Sequence, residues 1–173
     1  MSKTKKILNI PTSALVVLVG PAGSGKTTFA NGHFRATEVL SSDFFRGMVS
    51  DDEGDQDATA DAFALLHLAL EKRLSRGRLC VVDATNAQAE HRAHLVKTAN
   101  AFQRQAVAMV FETPLAICIE RAGKRVGRIV KPEVICRQAK EVAPLLDEDL
   151  LGEGFAVVFR IAAGEQVEIR RTK

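Results

Sequence analysis

The sequence has no tryptophan and no tyrosine, and its aromatic content beyond histidine is nine phenylalanines in 173 residues. A platform that stacks successive bases of a single strand needs several exposed aromatic rings, so that mode of nucleic-acid binding begins with little support. Long hydrophobic runs are also missing. The longest, over 14–19 (Ala-Leu-Val-Val-Leu-Val), falls far short of the roughly 20 apolar residues that cross a bilayer. Lys3, Lys5 and Lys6 make the N-terminus basic, yet no apolar stretch with a cleavage site follows them. Cysteine is scarce: Cys80, Cys118 and Cys136 lie far apart, each among apolar neighbours, which reads as core packing and not as a metal or disulfide framework. These absences point to a cytoplasmic, reducing setting with no membrane partner.

What is present is an ordinary globular balance, 46% hydrophobic and 26% charged, at the length of one domain. The expected organisation is a single domain over 1–173 whose first dozen residues, 1–12, form a flexible segment. Apolar, β-branched runs at 14–19, 79–82 and 106–111 read as strands covered on both faces, with shorter copies at 38–40 and 155–159 and an edge strand at 167–169. Helix-like stretches separate them. Phe63, Leu66, Leu70 and Leu74 share one face; Thr85–Gln88 resembles a capping box opening a helix towards Phe102; Thr113-Pro114 reads as an N-cap and first-turn proline, with Gly123 as the stop; and Lys131-Pro132 starts a helix ending near Pro144. The alternation predicts an α/β fold, a parallel sheet with helices on both faces and ligands at the carboxyl ends of its strands.

Gly20-Pro-Ala-Gly23-Ser24-Gly25-Lys26-Thr27 satisfies the phosphate-binding pattern G-x-x-x-x-G-K-[ST], with a buried strand before it and a helix opening at Thr28. Glycines let successive backbone N–H groups curl around a phosphate, where the helix N-terminus adds partial positive charge. Lys26 supplies a charge between the β- and γ-phosphates of ATP or another nucleoside triphosphate, and the Thr27 hydroxyl is the expected Mg²⁺ ligand. Asp83 ends a later apolar strand, where a carboxylate holds Mg²⁺ directly or through water, or else caps the following turn.

A phosphate loop alone does not separate a kinase from a nucleotide switch. Ser41-Ser42-Asp43-Phe44-Phe45-Arg46 does more, because a carboxylate just after the second strand can take the proton of an attacking hydroxyl. Arg46, three residues on, suits an anion beside that hydroxyl; the plainer reading makes Asp43 an N-cap and Arg46 its surface ion-pair partner. Charge is segregated: 43–61 carries seven acids against one base, and 121–140 seven bases against one acid. Within the basic stretch, Arg121, Arg125 and Arg128 alternate with Gly123 and Gly127, as in a segment that closes arginines over donor phosphates. The four histidines have no metal-ligand spacing and are assigned no chemistry.

The order of these motifs, with Ser41–Gly47 followed by the acidic 50–56, Val81-Val-Asp-Ala-Thr-Asn86 and Glu120-Arg121-x-x-x-Arg125-x-x-Arg128, resembles the kinase domain of bacterial polynucleotide kinase-phosphatases, enzymes of RNA end healing. The resemblance runs from about Leu15 to the strand at Phe155. It implies ATP-dependent phosphorylation of 5′-hydroxyl ends of RNA or DNA, with Lys26 and Thr27 as donor residues, Asp43 as general base, Arg46 on the acceptor phosphate, and Arg121, Arg125 and Arg128 as lid arginines. It further implies phosphatase or ligase partners, whose domains are not in this chain. A small-molecule kinase acting on a sugar, nucleoside or antibiotic hydroxyl, and a nucleotide-dependent switch protein, stay open as alternatives. The acidic 51–57 would repel a polyanion if it lined the acceptor groove, so only terminal nucleotides are expected to be held.

Overall fold

The apolar run near the N-terminus forms the strand around which everything else is arranged. In the computed structural model, which describes residues 5–125 and 129–173, this strand, Leu15–Val19, is wholly buried. Its β-branched side chains fit a pleated surface covered on both faces. Counting from the N-terminus, the strands are β1 (Lys6–Pro11), β2 (Leu15–Val19), β3 (Val39–Ser41), β4 (Cys80–Asp83), β5 (Ala106–Glu112), β6 (Val157–Ala162) and β7 (Val167–Thr172). The helices are α1 (Lys26–His33), α2 (Ser42–Ser50), α3 (Thr59–Ser75), α4 (Ala89–Ala101), α5 (Leu115–Gly123), α6 (Pro132–Val142) and α7 (Asp147–Gly152).

Five strands make one parallel sheet in the order β3-β4-β2-β5-β6. Leu15 lies opposite Cys80 on one side and Ala106 on the other. The chain leaves β2 for the far edge at β3, returns to β4, then crosses to β5, so the order switches at β2 and a ligand crevice opens beyond its carboxyl end. Side-chain alternation divides the core into two layers. Leu15, Val17 and Val19 face Leu66, Leu70 and Leu74 of α3 and Leu95 and Ala99 of α4. Val16 and Leu18 face Ala30 of α1 with Leu8 and Ile10 of β1. The expected α/β architecture is present, but its second face is shared by α1 and a two-stranded ribbon.

That ribbon corrects the reading of 1–12 as flexible over residues 6–11, residues 1–4 lying outside the described ones. Residues 6–11 pair in parallel with β7, Lys6 opposite Val167 and Pro11 opposite Thr172, and Leu8 and Ile10 point into the core. The expected edge strand at 167–169 therefore joins β1 and not the main sheet. Two caps also differ. Gln88 caps α4 without a side-chain bond, while Thr85 gives its carbonyl to the Gly20 N–H at 3.0 Å. The Thr113 hydroxyl donates to the Ser24 carbonyl at 2.8 Å, and Pro114 stands at the N-cap of α5. Both threonines serve the phosphate loop, a tertiary demand that outweighs local capping.

No helix among the described residues is long and apolar enough to cross a membrane.

Candidate active site

The loop between β2 and α1 owes its shape to two glycines. Gly23 and Gly25 have φ of +80° and +102°, a region that L side chains rarely occupy. At Gly23 the need is also spatial, since a Cβ there would lie 2.1 Å from the Cys118 carbonyl oxygen. The nearly buried Lys26 curls back, its Nζ donating to the carbonyls of Gly20 and Pro21, each at 2.8 Å, and to Ser24 Oγ at 3.3 Å. The Thr27 hydroxyl donates to Asp83 Oδ2 at 2.8 Å.

Neighbouring strands bring the second group in. Ser41 of β3 is paired opposite Asp83 of β4, so α2, starting at once after β3, carries Asp43 to the same end of the sheet. Ser41 caps this helix through Oγ, accepting from the Phe44 N–H, so the cap is not made by Asp43. The Asp43 carboxylate is ion-paired with Arg46 Nη2. Arg46 is no surface partner: it is 4% exposed, and its Nε donates to the Glu53 carbonyl at 2.9 Å. Burial pushes its guanidinium below the ordinary arginine value, and Glu53 opposes that shift. The acidic stretch presents a backbone carbonyl to Arg46, while Asp51, Asp52 and Glu53 are exposed.

A cavity of about 210 Å³ joins these groups, lined by Gly23, Gly25, Lys26, Thr27 and Thr28 of the phosphate loop, by Asp43 and Arg46, by Asp83, and by Arg125. On the other side of the loop a second cavity, of about 560 Å³, is bounded by Ser24, Phe29, His33, Phe111, Arg121, Arg125 and the 161–165 turn. Phe29 stacks on His33 there, centroids 4.2 Å apart. Gly20 lines neither cavity; a Cβ on it would meet Ser24 Oγ at 2.8 Å and Phe111 Cβ at 3.2 Å, so it is held by packing. Arg128 lies outside the described residues. α5 and α6 are anchored to the loop: Cys118, Ala122 and Ile135 pack together with Ala22 against them, and the Ala22 N–H donates to Gln138 Oε1 at 2.9 Å.

Sequence reasoning missed three contributors. Gln138 carried no motif. Asn86 entered as the last residue of the Val81–Asn86 motif and within the expected capping box, with no role of its own, yet it is buried in a left-handed conformation and donates from Nδ2 to the Leu18 carbonyl at 2.8 Å. Arg92, at 1% exposed, holds Glu153 through two bonds of 2.7 and 2.6 Å and donates to the carbonyls of Asn86 and Ala87. An arginine on the inner face of an otherwise apolar helical stripe, four residues before Val96, was the available signal for it.

Thr27 and Asp83 offer hard oxygen donors 2.8 Å apart. Mg²⁺ takes one or two protein oxygens and completes its shell with water and phosphate, so the pair fits that ion. Among the described residues no group of three or more His, Cys, Asp or Glu side chains could hold a metal by itself.

A parallel α/β sheet with a phosphate loop at its switch point, facing an aspartate–arginine pair, is a P-loop kinase fold. The AAA domain family matches residues 15–145, and the chain belongs to that family. The Arabidopsis thaliana transcription factor bHLH140 is 29% identical over 113 residues, 65% of this chain and 12% of that protein, so the match spans a small part of that relative's length. The structure of the Pnkp1/Rnl/Hen1 RNA repair complex is similar at a TM-score of 0.65 and 21% identity, over 82% of this chain and 46% of that one. The AvrRxo1-ORF1:ORF2 structure with ATP gives 0.63 and 13%, over 82% and 49%. The Mycobacterium tuberculosis APS kinase CysC, in complex with AMPPNP and APS, gives 0.54 and 20%, over 91% and 92%.

Proposed function

We propose that the protein is an ATP-dependent kinase of polynucleotide 5′-hydroxyl ends, working in nucleic-acid repair. The observation that carries this reading is the Asp43–Arg46 pair on the wall of the cavity that also holds Lys26, Thr27 and Asp83. Gly23, Gly25 and Thr28 cradle the donor phosphates with backbone N–H groups. Lys26 exchanges the Gly20 and Pro21 carbonyls for the β- and γ-phosphate oxygens. Asp43 accepts the proton of the 5′-hydroxyl as its oxygen bonds to the γ-phosphorus, and the bond from that phosphorus to the β–γ bridging oxygen breaks, releasing ADP. Arg46 orients Asp43 and faces the phosphate next to the acceptor hydroxyl. Arg125 and Arg121, from the basic segment, offset charge on the transferring group and exclude water. Thr27 and Asp83 would hold Mg²⁺, which supplies charge neutralisation across the donor phosphates. The second cavity, with Phe29 and His33, receives the nucleobase of the donor.

The likeness to an RNA repair complex supports this reading at the level of fold. The APS kinase likeness, which extends over nearly the whole of both chains, keeps a small-molecule acceptor as the second reading. Incubation with Mg²⁺-ATP and a 5′-hydroxyl oligonucleotide separates them: label on the 5′ end is expected, and transfer to a small hydroxyl compound with none to the oligonucleotide would replace the first reading by the second. Asp43→Asn is expected to lower transfer by roughly 10²–10⁴-fold with ATP affinity nearly unchanged.

A further inference from the structure

Beside the catalytic cavity lies a further chamber of about 260 Å³, with four rings among its lining residues. Helical spacing builds it. Phe63 and His67 fall four residues apart on α3, and His91 and His94 three apart on α4, so each pair shares a face. The two faces meet, Phe63 lying 6.0 Å from His67 and 6.2 Å from His91, and His67 lying 4.3 Å from His94, centroid to centroid. Thr59, Phe63, Asn86 and His91 line both this chamber and the catalytic cavity, so the two spaces adjoin. His67 lines the chamber, and its Nδ1 is buried with no hydrogen-bond partner. Burial, with help from His94 and His91 and against Glu71, holds the His67 imidazole below its ordinary pKa. A neutral imidazole offers a donor at one ring nitrogen and an acceptor at the other.

We propose that this chamber holds the planar base of the nucleoside whose 5′-hydroxyl is phosphorylated, stacked among Phe63, His91 and His94 with its edge on His67. The assignment rests on the reading of the Asp43 side as the acceptor side. Size agrees, because an apolar cavity of about 150 Å³ already accepts benzene, and this one takes a single base. Chemistry agrees as well. Thr59, Asn86 and Glu90 put a few polar groups on a wall otherwise made of rings, Ala60 and Leu95, so a hydroxyl-rich sugar or a charged ester would leave more of its polar groups unpaired than a base, which has a π-face to stack. The stacking demand that the scarcity of Trp and Tyr left with little support is met by one phenylalanine and two histidines, for one base and not a row of them.

The test compares 5′-hydroxyl dinucleotides carrying a base or an abasic residue at the 5′ position. The wild type is expected to use the abasic acceptor about tenfold less efficiently or worse in kcat/KM, as loss of one base–ring stack implies. His94→Ala, at a residue that lines the chamber and not the catalytic cavity, is expected to narrow the gap by raising KM for the base-bearing acceptor alone. In parallel, the histidine ring signals are followed by NMR with the donor site filled by a non-hydrolysable ATP analogue. Adenosine is expected to shift those of His67, His91 and His94, ribose is not, and His33 serves as the donor-side control. Equal use of both dinucleotides, with ring signals unmoved by adenosine, overturns the proposal. If no oligonucleotide is phosphorylated, the polynucleotide reading fails by itself, and the NMR titration alone decides the chamber: shifts uphold it and their absence overturns it.

Discussion

Lys26, proposed to take the donor phosphates, already has partners built into the fold. Its ammonium occupies the carbonyls of Gly20 and Pro21 inside a nearly closed loop, so removing it strands two buried acceptors. Lys26→Met is expected to abolish measurable ATP binding by calorimetry and also to lower stability by about 1–3 kcal/mol in urea unfolding. A variant that loses binding at full stability would mean the carbonyls find water. Gly23 is the other residue where local geometry decides. With φ +80° and the Cys118 carbonyl in the place of a Cβ, Gly23→Ala must move α5 away from the loop, and loss of nucleotide binding together with a lower Tm is expected. The cysteines give a chemical check. Burial raises the Cys80 thiol to about 11, opposed by Arg73, and raises Cys118 too, opposed by Lys26 and Arg121. A thiol reagent at pH 8 is therefore expected to label one cysteine of the native protein quickly, the half-buried Cys136. Two or more fast sites would show that the core opens.

Among the elements, legibility followed the range of the interaction. β2 and its loop could be read because an apolar run, a glycine pattern and a helix start sit in consecutive residues. β1 could not, because Leu8 and Ile10 gain their cover by pairing with a strand that begins at Val167. The six residues of α7 sit in an acidic segment whose buried Leu150 gave no periodic pattern to detect. Ile10→Ala is expected to cost about 2–5 kcal/mol by denaturant unfolding, the range for a buried aliphatic side chain; a flexible segment would show no loss. Arg92 links α4 to the turn after α7 through Glu153 and also braces the Asn86 loop. Arg92→Ala leaves Glu153 without its partner, and a loss of about 3–5 kcal/mol is expected. A double cycle with Glu153→Gln checks whether that loss belongs to the pair. The candidate site was legible as far as single motifs reached: Lys26, Thr27, Asp43, Arg46, Asp83 and Arg125 share a cavity. The ring chamber was not legible, because its four rings are contributed by helices that only the fold brings together.

For the molecule as a whole, His67 links stability to pH. Its folded pKa lies below the ordinary 6.5 because burial disfavours the charged ring, reinforced by His94 and His91 and resisted by Glu71. The unfolded chain then binds more protons than the folded one as pH drops below about 6.5, so stability falls with acidification through that window and levels off below the folded pKa. The urea midpoint is expected to drop between pH 7.5 and 5.5, and to drop less in His67→Gln; identical profiles would remove His67 from the pH response. The parallel pairing of β1 with β7 has a practical consequence of its own. Two parallel strands begin at the same end, so Lys6 lies by Val167 while Thr172 lies by Pro11. Lys6 Nζ donates to the Arg160 carbonyl and approaches Glu165, next to the turn that bounds the second cavity, whereas Pro11 leads into the start of β2 at the far end of the sheet. If the donor base occupies that cavity as proposed, a fluorophore on residue 6 would sit beside it and report its arrival, while one on residue 172, five strand steps or about 17 Å away, would serve as its silent reference.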